Sequence, residues 1–144
     1  MDLKEEMDWK EQLALQFRKL TIDTNIISKA MQNFVDIFNG SLDKYNVKDV
    51  QATTDSKSYI EIQGYKKIKI GYYDDRITFS SIDKNGRDDM VYINLRIVKE
   101  LGRYLIIYVN AKESNPQLKD FIDENTIDEI FKNLIQANIQ VTRI

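Results

Sequence analysis

At 144 residues, 42% hydrophobic and 31% charged, the chain is long enough for one domain with its own core, and its balance is not that of a disordered chain. It has neither cysteine nor histidine, which excludes disulfides, thiolate metal sites, thiol nucleophiles, histidine-dependent triads and the helical zinc-protease motif. A net charge of −2 and a pI of about 5.2 argue against a general nucleic-acid binder, and any catalysis is left to carboxylates, Lys, Tyr, Ser or Thr.

The run from Met1 to Trp9 is acidic and has no apolar stretch of the kind that directs secretion, so a cytoplasmic protein is expected. Leu13, Phe17, Leu20, Thr24, Ile27, Met31, Phe34 and Phe38 then recur at alternating steps of four and three, a heptad seam with one polar position. The seam predicts one helix over residues 4–39 with Gly40 as its stop. The competing reading is two helices broken near residues 21–25, where Thr, Asp and Asn are good N-caps. The unbroken register favours the single helix, packed on a sheet; a homodimeric coiled coil is the alternative. Trp9 lies off the seam and either covers the end of the core or anchors a partner.

The middle of the chain alternates as strands do. Val47 to Thr54 reads as a weak edge strand. In residues 58–63 Ile60 and Ile62 share a face, and in residues 67–73 Ile68, Ile70 and Tyr72 do. A loop at Gly64-Tyr65-Lys66 pairs Ile62 with Ile68, Ile60 with Ile70 and Glu61 with Lys69. A turn at Asp74-Asp75 pairs Tyr72 with Ile77 and Ile70 with Phe79. A third turn, Lys84-Asn85-Gly86, offers Gly86 for a left-handed position and pairs Phe79 with Val91 and Ile77 with Ile93. All three hairpins put their apolar residues on one face, and a slip of one residue in any of them would invert a strand. The strand from Met90 is expected to continue through Leu95 and Ile97, in preference to a short helix over residues 94–102. Tyr104 to Val109 is apolar on both faces and predicts a strand covered on both.

Asn115-Pro116 predicts a helix start, and Thr126-Ile127-Asp128-Glu129 a second one through a capping box. Ile127, Ile130, Phe131, Leu134 and Ile135 form its buried stripe. Val141 and Ile144 suggest a short final strand. The expected architecture is a single α+β domain over residues 1–144: helical over 1–40, mostly strand over 46–111 and helical over 115–138. A long N-terminal helix, or two, and a C-terminal helix pack on an antiparallel meander of about five or six strands.

One surface stands out. Tyr59, Tyr65, Lys67, Lys69 and Tyr73 have the parity opposite to the core residues. Tyrosines interleaved with lysines suit a protein interface, or the stacking and phosphate contacts of a nucleic-acid surface. Equally, they suit an ordinary solvated sheet face. The aspartate pairs Asp74-Asp75 and Asp88-Asp89 raise the possibility of a metal-dependent nuclease. Alternate turns of a meander lie at opposite ends of the sheet, however, so both pairs read as solvated turn residues. Enrichment in Lys, Ile, Asn, Asp and Tyr, with one proline, has the flavour of AT-rich bacterial or phage coding.

By elimination the chain is expected to be a non-enzymatic small binding protein acting by protein–protein contact, of inhibitor, immunity, anti-defence or adaptor type. It should need no cofactor and no metal, have a protein partner or a second copy of itself, and involve neither nucleic acid nor membrane. The alternatives are a small-molecule or nucleotide binder using a cleft between helices and sheet and, less favoured, a metal-dependent carboxylate nuclease.

Overall fold

A computed structural model describes residues 8–111 and 115–141 of the chain. Among them are α1 (Trp9–Leu15), α2 (Thr24–Lys44), β1 (Ala52–Thr54), β2 (Tyr59–Ile62), β3 (Lys66–Tyr72), β4 (Arg76–Asp83), β5 (Asp88–Val98), β6 (Arg103–Val109), β7 (Gln117–Lys119) and α3 (Glu124–Val141). The strands form one antiparallel sheet in chain order, an open meander of seven, where five or six were expected. The two apolar helices α2 and α3 pack against one face, as the α+β reading requires.

The heptad seam does not belong to one helix. Residues 16–23 separate α1 from α2, and Asp23 caps α2 by accepting from the Asn25 N–H at 2.9 Å. The linker's polar groups are taken up by the rest of the fold. Arg18 donates to the carbonyls of Gly102 and Asp120, both at 3.0 Å, and Tyr104 donates to the Thr21 carbonyl at 2.8 Å. The Tyr104 bond satisfies a carbonyl that a continuous helix would have bonded, and the Arg18 side chain ties the linker to the β5–β6 turn and the end of β7. The seam's second half is core: Ile27 and Met31 are fully buried and Phe34 and Phe38 pack against them. Its first half is not, with Leu13 and Phe17 exposed, and Trp9 is exposed as well. Residues 4–7 of the expected helix lie outside the described residues.

Nor does Gly40 stop α2. The stop is a Schellman motif at Asn46, in the left-handed region at φ 62°. The Asn46 N–H bonds the Asp43 carbonyl and the Val47 N–H that of Leu42, so asparagine stands where glycine is commoner. Further along α2, Asn39 reaches the outer edge of the sheet. Its amide donates to the Ala52 carbonyl at 2.9 Å and accepts from the Ala52 N–H at 2.8 Å, as a neighbouring strand would.

The parity of every hairpin agrees with the sequence, and the register of two differs from it by two residues. The middle hairpin is as expected, with Ile70 opposite Phe79 and Tyr72 opposite Ile77. Between β2 and β3 the loop is residues 63–65, so Ile60 faces Ile68, Glu61 faces Lys67 and Ile62 faces Lys66. Between β4 and β5, Phe79 faces Ile93 and Ile77 faces Leu95. An irregularity opposite Ser81, where Met90 adopts φ 63°, absorbs the difference. Gly86 takes the left-handed position expected of it, at φ 81°.

β5 continues through Ile97 to Val98, as the alternation implies. Asn115-Pro116 starts no helix. The next residues pair with β6 as β7, and Pro116, which has no N–H to give a ladder, sits just ahead of this edge strand. Asp123, three residues before the expected cap, starts α3. Its carboxylate accepts from both the backbone N–H and the hydroxyl of Thr126 at 2.9 Å. Ile127, Ile130, Phe131 and Leu134 are fully buried beneath it. Val141 is helical and Ile144 lies outside the described residues. No helix among the described residues is long and apolar enough to cross a membrane.

Candidate interaction surface

Because strands alternate, the residues between the buried ones all fall on the second face of the sheet, which carries no helical layer among the described residues. The registers arrange this open face in cross-strand rows. One row runs Glu61, Lys67, Ile82, Asp88. The next runs Tyr59, Lys69, Ser80, Tyr92, Val109. A third holds Gly71, Thr78, Asn94 and Ile107, and a fourth Arg76, Arg96, Leu105 and Leu118. Strand β6 is therefore covered on one side only. Tyr104, Ile106 and Tyr108 are buried, while Leu105 and Ile107 are half-buried and Val109 and Leu118 exposed, a departure from the covered strand expected.

The face has two halves. Over β2–β4 it is basic and aromatic. Lys67 Nζ lies 4.7 Å from the centre of the Tyr59 ring, and Lys69 stands opposite Tyr59 on the neighbouring strand. The Arg76 guanidinium lies 4.7 Å from the Tyr73 ring. That ring folds back over Gly71, whose missing side chain makes the space: a Cβ there would come within 3.3 Å of the tyrosine and 2.8 Å of the Thr78 hydroxyl. The β5 strand continues the polar half with Asp88, Tyr92, Asn94 and Arg96, and over β6 and β7 the face is mostly apolar, with Leu105, Ile107, Val109 and Leu118 on it. Nothing in residue composition flags this half. It was legible only by extending the strand parity to β6.

Of the five residues singled out, Tyr59, Lys67 and Lys69 form one cluster. Tyr73 stands past the far end of β3 and is 56% exposed. Tyr65 stands before its near end, about 20 Å or more from Tyr73 along a seven-residue strand. It does not join them. Instead it roofs a buried polar group that the sequence did not show.

That group is Lys66, Asp89 and Ser81. Lys66 is the first residue of β3 and, with the register as it is, turns toward the core. Its Nζ lies 3.1 Å from Asp89 Oδ2, with the two side chains 3% and 6% exposed. Ser81 donates to the same oxygen at 2.8 Å. Lys66 Nζ also lies 3.5 Å from the Leu134 carbonyl on α3 and 5.6 Å from the Tyr65 ring. Burial, reinforced by the nearby Asp89 charge, raises the Tyr65 phenol above its ordinary value. Asp89 is thus not a solvated turn residue, whereas Asp88, on the other side of the strand, is exposed and accepts from Tyr92 and the Met90 N–H. The expectation that both are solvated is not met. Paired, hydrogen-bonded and enclosed, the group has the features of a structural pin.

A cleft lies elsewhere, between α3 and the β6–β7 edge. It has a volume of about 630 Å³ and is lined mainly by polar side chains, among them Gln117, Lys119, Thr126, Lys132 and Asn133. Among the described residues no three carboxylates converge to hold a metal ion. Comparison with protein-family models, with curated proteins and with solved structures finds no match for this chain.

Proposed function

We propose that the chain is a non-enzymatic binding protein whose partner is another protein, and that the open face of the sheet is the surface it uses. One observation carries this reading. A sheet whose other face packs on α2 and α3 leaves Leu105, Ile107, Val109 and Leu118 contiguous and, among the described residues, without a helical cover, beside a tyrosine-rich region. An apolar patch flanked by tyrosine and arginine has the residue types enriched at protein interfaces.

The test is site-specific photo-crosslinking in cells of the native host. A photoreactive residue at Lys69 or Leu118, both exposed on the open face, should yield one discrete protein adduct. The same residue at Lys29, exposed on α2, should yield none. Equal labelling from both faces would refute the assignment. The cleft between α3 and the β6–β7 edge favours a second reading, a site for a small polar ligand, though its lining is less apolar than most ligand sites.

A further inference from the structure

The basic half of the open face has a charge pattern of its own. Arg76 and Arg96 are directly opposite each other on β4 and β5. Like charges in that position destabilise a sheet. Arg76 is partly compensated by Asp75 at 3.5 Å and by the Tyr73 ring. Arg96 and Lys69 have no acidic side chain within ion-pair distance among the described residues. Lys67, Lys69, Arg76 and Arg96 thus outnumber the carboxylates Glu61 and Asp88 on the face that carries no helical layer among the described residues, in a chain whose net charge is −2.

Resting on the reading of this face as a protein-binding surface, we infer that its partner presents an acidic segment, whose carboxylates lie over Arg76, Arg96 and Lys69 while neighbouring apolar side chains meet Leu105 and Ile107. Carboxylates match guanidinium groups in charge and geometry and would relieve the repulsion between the two arginines. A second copy of the chain is disfavoured, because its own open face offers only the Glu61 and Asp88 carboxylates against Lys67, Lys69, Arg76 and Arg96. A nucleic acid is disfavoured on two counts. The Tyr59 and Tyr73 rings each already carry a cation at 4.7 Å, where a stacking base would lie. The aliphatic half would also find little to cover it on a phosphate backbone.

The experiment titrates the full chain with a fluorescent octapeptide alternating Glu and Leu, with a matching Lys and Leu peptide, and with a twelve-residue oligothymidylate. Backbone amide shifts map the contact. The Glu peptide should bind saturably and shift amides of β3 to β6, and the other two should bind at least ten-fold more weakly. Arg96→Gln should weaken the Glu peptide at least five-fold and at the same time raise Tm by about 1–4 °C, because it removes the arginine repulsion. That opposite pair of effects separates a binding role from a structural one. No saturable binding of the Glu peptide, equal binding of the Lys peptide, shifts on the helical face, or a lower Tm in Arg96→Gln would each overturn the inference. Comparable binding of oligothymidylate at this face would assign it to nucleic acid, and a sedimenting dimer broken by Ile107→Glu to a second copy. If crosslinking at Lys69 and Leu118 still captures a protein after the Glu peptide has failed, the surface stands and only the acidic character of its partner falls.

Discussion

Lys66 Nζ and Asp89 Oδ2 lie 3.1 Å apart inside the fold, joining the first residue of β3 to the irregular start of β5. They are not on adjacent strands, so the pair ties the sheet across β4, whose Ser81 donates to the same carboxylate. Losing one partner leaves a buried charge alone. Asp89→Ala should therefore cost about 3–5 kcal/mol in urea unfolding, whereas a Lys66→Met/Asp89→Leu double variant should recover most of that loss. A double variant as unstable as the single one would show that the pair does more than neutralise itself.

Gly102 marks where α1 meets the β5–β6 turn. It has φ 62°, and a Cβ there would stand 1.7 Å from the Leu15 carbonyl oxygen, a backbone atom that no rotamer change can move. Gly102→Ala should cost more than about 1 kcal/mol and loosen α1, with faster amide exchange at residues 9–18 than in β4. Unchanged exchange there would mean that α1 is held by something other than this close approach and the Arg18 bonds to Gly102 and Asp120.

The two halves of the helical seam should respond differently. Met31→Ala, at a fully buried position, should cost about 2–5 kcal/mol. Phe17→Ser, at a position 78% exposed, should stay within about 0.5 kcal/mol. Equal costs would restore the single continuous helix.

Asp123 makes α3 sensitive to acid. Bonds from the Thr126 backbone N–H and hydroxyl hold its carboxyl below the usual carboxylate range. A lowered folded pKa means stability that is complete above the unfolded value, about 3.9, and is lost as pH falls through the folded one. Asp123→Ala should accordingly cost about 0.5–2 kcal/mol at pH 7, and its melting curve should approach that of the wild type as pH drops below about 4. A gap that stays constant down to pH 2 would mean that the carboxylate is not the cap.

Side-chain parity is what the sequence made legible, and the site follows from parity. Shifting a hairpin by two residues leaves every side chain on the same face, so Tyr59, Lys67 and Lys69 were placed on the open face although their cross-strand partners were not. The buried pair escaped for the same reason that the registers did. Lys66 reads as loop until β3 is lengthened by one residue, and Asp89 reads as turn until Met90 takes a left-handed conformation that no glycine announces. The aliphatic half of the open face escaped because Leu105, Ile107 and Val109 look like core in a strand apolar on both sides. What tells them apart from Tyr104, Ile106 and Tyr108 is that no helical layer lies over them among the described residues.

The central claim, that the chain works through the open face of its sheet, is tested most directly by the affinity of two variants for the protein recovered by crosslinking, each shown to melt cooperatively first. Ile107→Glu puts a charge into the apolar half of the open face, and Lys132→Glu reverses one in the cleft beside α3. The account predicts that Ile107→Glu weakens binding at least ten-fold, by more than about 1.4 kcal/mol, and that Lys132→Glu leaves it unchanged. Loss of binding in Lys132→Glu with full binding in Ile107→Glu would contradict the claim and move the site to the cleft.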